Sequence, residues 1–89
     1  MTKIQRRNFN KELQDMDEKE MIQKAKSYLK HHYGEDTVVM DVTDNSVEET
    51  GNGVFSVDCT VSVGGSHSDW SKKFHFRNGE ITRMDWKRR

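Results

Sequence analysis

An aspartate, a histidine and a threonine are the side chains whose types and spacing come closest to a catalytic set. Asp58, His75 and Thr82 fall on polar positions of alternating segments, so they can form a row across one face of a sheet. A carboxylate that orients an imidazole beside a hydroxyl is the arrangement that a general base requires. A solvated sheet face neither excludes water nor fixes a substrate, so we favour a surface ion pair. A hydrolase or transferase that uses Asp58 and His75 is kept as an alternative.

The single cysteine is the other candidate nucleophile, with His67 or His75 as its base. Cys59 alternates with Val57 and Val61, which predicts that its thiol faces the core, where it stays protonated and unreactive. One cysteine also excludes an internal disulfide, and the N-terminal segment lacks the apolar run of a signal peptide. These two features predict a reducing, cytoplasmic location.

The histidines and the acidic residues lack the spacing of a metal site. The histidines are His31, His32, His67 and His75. Adjacent positions of a helix point about 100° apart, and no second pair of closely spaced ligands follows, so zinc is not predicted. The acidic segment 41–49 lacks the residue order of a calcium loop, and Gly64-Gly65 lacks the Gly-Lys-Ser/Thr ending of a phosphate loop. The sequence therefore predicts no metal and no cofactor.

Basic and aromatic side chains near the C-terminus form the remaining candidate site. The candidate binding residues are Lys73, His75, Arg77, Arg83, Trp86, Lys87, Arg88 and Arg89. Basic side chains bind phosphates and a tryptophan stacks on a base, so nucleic-acid binding through Arg83 and the segment 86–89 is one hypothesis. The same segment suits an acidic protein surface, and we favour a protein partner.

The distribution of charge and hydropathy along the chain bears on the partner. Fifteen Lys/Arg balance fifteen Asp/Glu, so no net field favours nucleic acid or an anionic membrane. Residues 35–50 contain six acids and no base, which makes head-to-tail contact between two copies, or a homodimer, a further alternative. The longest apolar run, Val38-Val39-Met40, is too short for a membrane span.

An amphipathic helix must help to position these side chains. Asp15 with Glu18, and Asp17 with Glu20, have the spacing of a capping box, so the helix is predicted to begin near residues 15–17. Its apolar and aromatic positions recur every three or four residues, which predicts one buried stripe: Met21, Ile22, Ala25, Tyr28, Leu29 and Tyr33. Gly34 suits the position after the last turn, so the helix is predicted to end one or two residues before it.

From Gly34 onward, apolar residues recur at every second position, which predicts four antiparallel strands. The inward-facing positions are predicted to be Val38, Met40 and Val42 in the first strand, Phe55, Val57, Cys59, Val61 and Val63 in the second, and Trp70, Phe74 and Phe76 in the third. A long acidic connection, with a short strand extension around Val47, joins the first two strands. Residues 64–69 are predicted to form a polar loop, and Asn78-Gly79 a type I′ turn.

The register of the last hairpin follows from which side chains must face the core. With Asn78-Gly79 as the turn, strict pairing would bury Arg83 and expose Met84, so a β-bulge is predicted near Thr82–Arg83. The resulting pairs are Arg77 with Glu80, Phe76 with Ile81, Phe74 with Met84, Lys73 with Asp85, and Lys72 with Trp86 at the rim. Lys73 and Arg77 are thus each predicted to have a carboxylate neighbour.

The register between the second and third strands depends on the loop between them. With residues 64–69 as that loop, Val63 opposes Trp70. This register places Asp58 opposite His75, and Thr60 opposite Lys73, on the exposed face. It is the arrangement that would assemble the row of Asp58, His75 and Thr82.

One helix followed by a four-stranded meander resembles the cystatin-like and NTF2-like α+β folds over residues 15–87. The resemblance implies a helix lying across one face of a curved sheet. Cystatin inhibitors carry a Gln-x-Val-x-Gly hairpin and a Pro-Trp hairpin, but this chain has Val61 at the glutamine position and no proline, so protease inhibition is not predicted. NTF2-like enzymes line a deep cone with polar residues, whereas the inward residues here are apolar, so no pocket is predicted.

Length and composition predict one small domain. The chain has 89 residues, of which 31% are apolar and 34% charged, so its core must be thin. Residues 1–14 are predicted to be a mobile or loosely helical basic arm, and residues 15–89 a single α+β domain of order α-β-β-β-β. We predict a non-enzymatic cytoplasmic domain that binds a protein, or itself, through its open sheet face, a sheet edge or its basic C-terminus.

Overall fold

The computed structural model describes residues 17–89 and contains one helix followed by four strands. The elements are α1 (Glu18–Tyr33), β1 (Asp36–Asn45), β2 (Gly53–Val63), β3 (Ser66–Arg77) and β4 (Glu80–Arg88). The strands form one antiparallel sheet in the order β1-β2-β3-β4. The predicted α+β meander is therefore confirmed, whereas the arm predicted for residues 1–14 lies outside the described residues.

Helix α1 begins and ends where its capping residues predict. The Asp17 carboxylate accepts a hydrogen bond of 2.9 Å from the backbone N–H of Glu20, which satisfies a donor that the first helical turn leaves free. Gly34 adopts φ +68° and donates its N–H to the Lys30 carbonyl at 3.0 Å, as a left-handed C-terminal glycine does. Within residues 17–89, no helix has the length and apolar content needed to cross a membrane.

The core lies between α1 and one face of the sheet. Its buried residues are Met21, Ala25 and Leu29 of α1, Phe55, Val57, Cys59 and Val61 of β2, Phe74 and Phe76 of β3, and Met84 of β4. The predicted inward positions are confirmed for most of these elements. Tyr33 and Val63 are exceptions, because both lie at the end of an element and remain 45% and 50% exposed.

Strand β1 departs from the predicted alternation at Val38. A β-bulge between Thr37 and Val39 leaves Val38 without a partner on β2, so this side chain is 50% exposed and the prediction that it faces the core is wrong. Met40 and Val42 pair with core residues of β2 and are partly buried, as predicted. The strand extension around Val47 is also absent from the described connection 46–52, where Val47 instead packs against the core.

The turn between β2 and β3 is shorter than predicted. Gly64 and Gly65 have φ of +57° and +85°, the positive values that a two-residue type I′ turn requires. Residues 66–69 therefore belong to β3 rather than to a loop, and Val63 pairs with Ser66. The predicted pairing of Val63 with Trp70 is wrong because two glycines reverse the chain in two residues.

The register between β3 and β4 is the predicted one. The pairs include Arg77 with Glu80, Phe76 with Ile81, Phe74 with Met84, Lys73 with Asp85, and Lys72 with Trp86. The register shifts between His75 and Phe76, which leaves Thr82 as the extra residue of β4. This bulge turns Met84 into the core and keeps Arg83 exposed.

Candidate functional site

The sheet face that points away from α1 carries most of the predicted binding residues. We call the basic residues of β3 and β4 on this side the basic face: Lys73, His75, Arg77, Arg83 and Lys87. Strand alternation places Trp86 and Arg88 on the opposite side, next to α1. The last residue, Arg89, continues the edge of the sheet, since its backbone N–H donates to the Asp69 carbonyl at 3.0 Å.

His75 of the basic face is paired with a carboxylate other than the predicted one. Its Nε2 lies 2.9 Å from Oδ2 of Asp85 on β4, and the hydrogen bond to this imidazole holds the pKa of the Asp85 carboxyl below its usual value. Thr82 donates its hydroxyl to the His75 backbone carbonyl at 3.2 Å, not to the ring. His75 is thus hydrogen-bonded to the carboxylate of Asp85 rather than to that of Asp58.

Asp58 and Thr60 lie elsewhere on the face. Asp58 pairs with Ser71, whose hydroxyl donates to its Oδ1 at 2.8 Å. Thr60 pairs with Asp69 and donates to that carboxylate at 2.6 Å. The predicted contacts of Asp58 with His75 and of Thr60 with Lys73 are therefore wrong. The row proposed for a hydrolase or transferase does not form.

The carboxylates of the last hairpin leave its basic residues without close partners. Glu80 lies opposite Arg77 in the register but contacts Lys24 of α1, with 3.0 Å between Nζ and Oε2. Asp85 lies opposite Lys73 but contacts His75. Between residues 17 and 89, no carboxylate comes within 4.0 Å of the Lys or Arg side chains of the basic face or of Arg88 and Arg89. The prediction that Lys73 and Arg77 each have a carboxylate neighbour is confirmed by the register, but neither side chain lies within 4.0 Å of that neighbour.

A groove of about 580 Å³ runs along the outer face. Its polar lining includes Thr43, Ser56, Asp58, Ser71, Lys73, Asp85 and Lys87. Val57, Lys72 and Trp86 complete the lining. The prediction that the sheet forms no pocket considered only the apolar inward-facing residues, and it is wrong for the outer face.

The opposite side of the sheet contains an ion pair that the sequence did not predict. Lys72 is only 3% exposed, and its Nζ lies 3.2 Å from Oε1 of Glu35 and 4.9 Å from the centre of the Trp70 ring. Tyr33 and Trp86 stand beside this pair around a cavity of about 200 Å³. The signal was present, since a lysine at an inward position between Trp70 and Phe74 needs a counter-charge. Only the fold shows that Glu35 supplies it.

Cys59 is fully buried and its thiol is unsuited to nucleophilic chemistry. Burial is the main reason that the pKa of this thiol rises to about 11, so the thiol stays protonated at neutral pH. The inward orientation predicted from its alternation with Val57 and Val61 is confirmed.

The histidines are dispersed over the described part of the chain. His32 stacks on Tyr28 of α1, with 4.1 Å between the ring centres, whereas His67 lies at the start of β3. Residues 17–89 contain no group of three His, Cys, Asp or Glu side chains close enough to hold a metal ion.

Strand β4 is one edge of the sheet, so one side of its backbone has no partner strand among the described residues. We call the stretch Arg83–Arg88 of this strand the basic edge. Trp86 is 57% exposed there and lies 6.5 Å from Tyr33, measured between ring centres, while the Arg88 guanidinium lies 5.1 Å from the centre of the Trp70 ring. The edge therefore offers backbone hydrogen-bonding groups, positive charge and an aromatic surface together.

Comparison of the chain with protein-family models, with curated proteins and with solved structures gives no significant match. The resemblance to cystatin-like and NTF2-like folds thus rests on the order of helix and strands and stays a prediction.

Proposed function

We propose that this protein is a non-catalytic cytoplasmic binding module that captures an acidic, extended segment of a protein along the basic edge. One observation carries the proposal: β4 is a free edge strand whose basic side chains have no carboxylate within 4.0 Å in the described residues. A buried free thiol at Cys59 also suits the reducing conditions of the cytoplasm.

The backbone of β4 supplies the affinity that does not depend on sequence. An edge strand has a row of unpaired N–H and C=O groups, and an extended peptide can pair with them as an additional strand. Thr82 interrupts β4 near its start, so the regular stretch available for such pairing is the basic edge itself.

The side chains of the edge supply selectivity. Arg83 and Lys87 point to the outer face and Arg88 to the side of α1, so carboxylates on either side of an added strand meet a positive charge. Each exposed ion pair contributes only about 0.2–1 kcal/mol, so the charges select acidic segments and speed their encounter more than they tighten the complex. Trp86 adds an apolar contact beside them.

A peptide titration tests the proposal. The probe is a short peptide of alternating glutamate and valine, and its control replaces every second residue by proline, which removes backbone donors and disfavours strand pairing. We expect the first peptide to shift the fluorescence of the exposed Trp86 and the second to leave it unchanged. Replacement of both Arg83 and Lys87 by glutamate should abolish binding, whereas Lys19→Glu, an exposed charge reversal on α1, should preserve it.

Nucleic-acid binding is the competing outcome of the same experiment, because Trp86 and the basic side chains would also suit a single strand. Labelled oligonucleotides are titrated in parallel at low salt. Binding of oligonucleotides without binding of the acidic peptide would favour the nucleic-acid alternative. If neither ligand shifts the signal, the basic edge is not a binding site.

A further inference from the structure

Building on the proposed function of the basic edge, we infer that the acidic segment it accepts is β1 of a second copy of this chain. The charges of the two hairpins are opposite. Residues 36–63, which span β1 and β2, contain six acids and no Lys or Arg, whereas residues 66–89 contain seven Lys/Arg and three acids. The sheet order β1-β2-β3-β4 places the acidic and basic strands at opposite edges.

The direction of the strands allows one sheet to continue into the next. Neighbouring strands in the meander are antiparallel, so β1 and β4 of one molecule also run in opposite directions. A second copy placed beside the first by translation therefore presents its β1 antiparallel to β4. This geometry needs no change of fold in either copy.

A charge conflict within the sheet identifies the contact. Asp41 and Asp58 lie directly opposite each other on β1 and β2, and like charges in this position destabilise a sheet. Neither carboxylate has a basic group within 4.0 Å in the part of the chain that the structure describes. Across the next two strands, Asp58 pairs with Ser71 and Ser71 pairs with Lys87, so these outward-facing residues form one row that ends at the basic edge. A copy placed in line brings its Asp41 next to Lys87 and relieves the repulsion.

The apolar side of the junction is also complementary. On the side of the sheet that faces α1, a second row of paired residues crosses the four strands. It runs from Val42 of β1 through Val57 and Lys72 to Trp86 of β4. In the same alignment Trp86 of one copy therefore covers Val42 of the next. This contact buries part of a tryptophan that is exposed in the single chain.

Bulges limit the strength of the junction. The register of β1 shifts between Thr37 and Val39 and again between Val42 and Asp44, so regular edge backbone is confined to the stretch Val39–Val42. Such interruptions restrain edge pairing in natural sheets. Association is therefore weak and rises with concentration. Because the two contacting surfaces differ, the assembly is an open row of copies rather than a closed dimer.

Mass measurement by light scattering across a concentration series tests this inference. The wild-type chain at low salt should exceed the mass of one chain, 10.5 kDa, increasingly as concentration rises. Lys87→Glu removes the attractive charge on one edge and Asp41→Lys on the other, and each variant alone should stay at the mass of one chain. Lys19→Glu is the control of equal charge change and should associate as the wild type does.

A mixture of the two edge variants gives the sharpest readout. Lys87→Glu retains a normal acidic edge and Asp41→Lys a normal basic edge, and the two altered edges are again opposite in charge, so the mixture should form rows of alternating variants although neither variant associates alone. The double variant, in which the charges are exchanged, should regain association. A wild-type mass of one chain at every concentration, or single variants that associate like the wild type, would overturn the inference.

The Asp41→Lys variant also separates this inference from the proposed function. Its basic edge is intact and not occupied by another copy, so it should bind the glutamate-valine peptide. If it binds the peptide while the wild type remains a single chain, only the second-copy inference is wrong. If it does not bind the peptide either, the proposed function is wrong as well.

Discussion

Lys72 occupies an inward-facing position of β3 although it is charged. Its ammonium is held by Glu35 at 3.2 Å and by the ring of Trp70 at 4.9 Å. Taking two charges out of water costs several kcal/mol per ion, which their attraction offsets only when both are present. The intact pair therefore contributes little to the free energy of unfolding, whereas removal of one partner lowers that free energy considerably.

We expect either single replacement, Lys72→Met or Glu35→Gln, to lower the free energy of unfolding by about 3 kcal/mol, because the remaining partner is left in a site built for two. The double replacement should recover most of this loss. Denaturant unfolding of all four proteins in a double-mutant cycle measures the coupling. Additive losses would show that the two side chains do not interact.

The burial of Cys59 predicts that the folded protein reacts slowly with thiol reagents. The thiol is fully buried and protonated at neutral pH, so maleimide should label the folded protein much more slowly than the denatured protein. A mass spectrum taken during native and denaturing incubation measures both rates. Equal rates would mean that the core opens readily.

The raised pKa of Cys59 also has a consequence for alkaline stability. Folding favours the neutral thiol, so its contribution is fully present below the ordinary pKa of 9.0 and is lost as pH rises toward the folded value of about 11. In Cys59→Ala this dependence is absent. The stability difference between wild type and variant should therefore narrow above pH 9.0, as denaturant midpoints at several pH values would show.

At the scale of elements, the connection between β1 and β2 locks onto the last hairpin turn. The Gly51 carbonyl accepts the N–H of Gly79 at 3.0 Å, and the Asn52 side chain accepts the N–H of Asn78 at 2.9 Å. A Cβ added at Gly51 would lie 2.3 Å from the Gly79 nitrogen, a backbone atom that has no room to move aside. This contact ties the two hairpins together at one end of the sheet.

Gly51→Ala should therefore destabilise the fold by about 2–4 kcal/mol, from the strain of its positive φ and from the clash with Gly79. Gly65→Ala is the matched control. Gly65 has nearly the same φ, +85° against +87°, but nothing lies within 4 Å of an added Cβ, so only the conformational strain of about 1–2 kcal/mol applies. Thermal unfolding compares the two, and equal midpoints would contradict the steric argument.

The elements also show which parts of the fold the residue pattern could predict. The helix limits and the β3–β4 register followed from caps and from the need to bury Met84. The β2–β3 register did not, because Asp58 pairs with Ser71, four residues from the predicted His75. A shift by an even number of residues leaves every side chain on the same face. Alternation therefore predicted the faces correctly but not the partners, and the candidate catalytic row depended on the partners.

For the molecule as a whole, a net charge of zero conceals a separation of charge between the two hairpins. The net charge consequently gives little information about the partner of this protein, whereas the sign of the charge at each sheet edge is more informative. The basic candidate residues were identifiable from the sequence. Their lack of close carboxylates was not, because Glu80 is drawn to Lys24 on the helix, which is distant in sequence.

This separation predicts a dependence on ionic strength. Raising the salt concentration from about 0.1 M to about 1 M shortens the Debye length from about 10 Å to about 3 Å, so binding of an acidic peptide at the basic edge should weaken several-fold. Fluorescence titration at both salt concentrations measures the change. An unchanged dissociation constant would mean that the charges of the edge do not contribute.

The extra residue Thr82 sets the character of the entire C-terminal strand. Since side chains alternate along a strand, this one insertion decides whether arginine and lysine or methionine and tryptophan project outward from Arg83 onward. Deletion of Thr82 alone would turn Arg83 and Lys87 toward the core and Met84 and Trp86 toward solvent, although no other residue would change. A change in the length of this strand therefore alters its exposed surface more than a substitution at any one of its positions would.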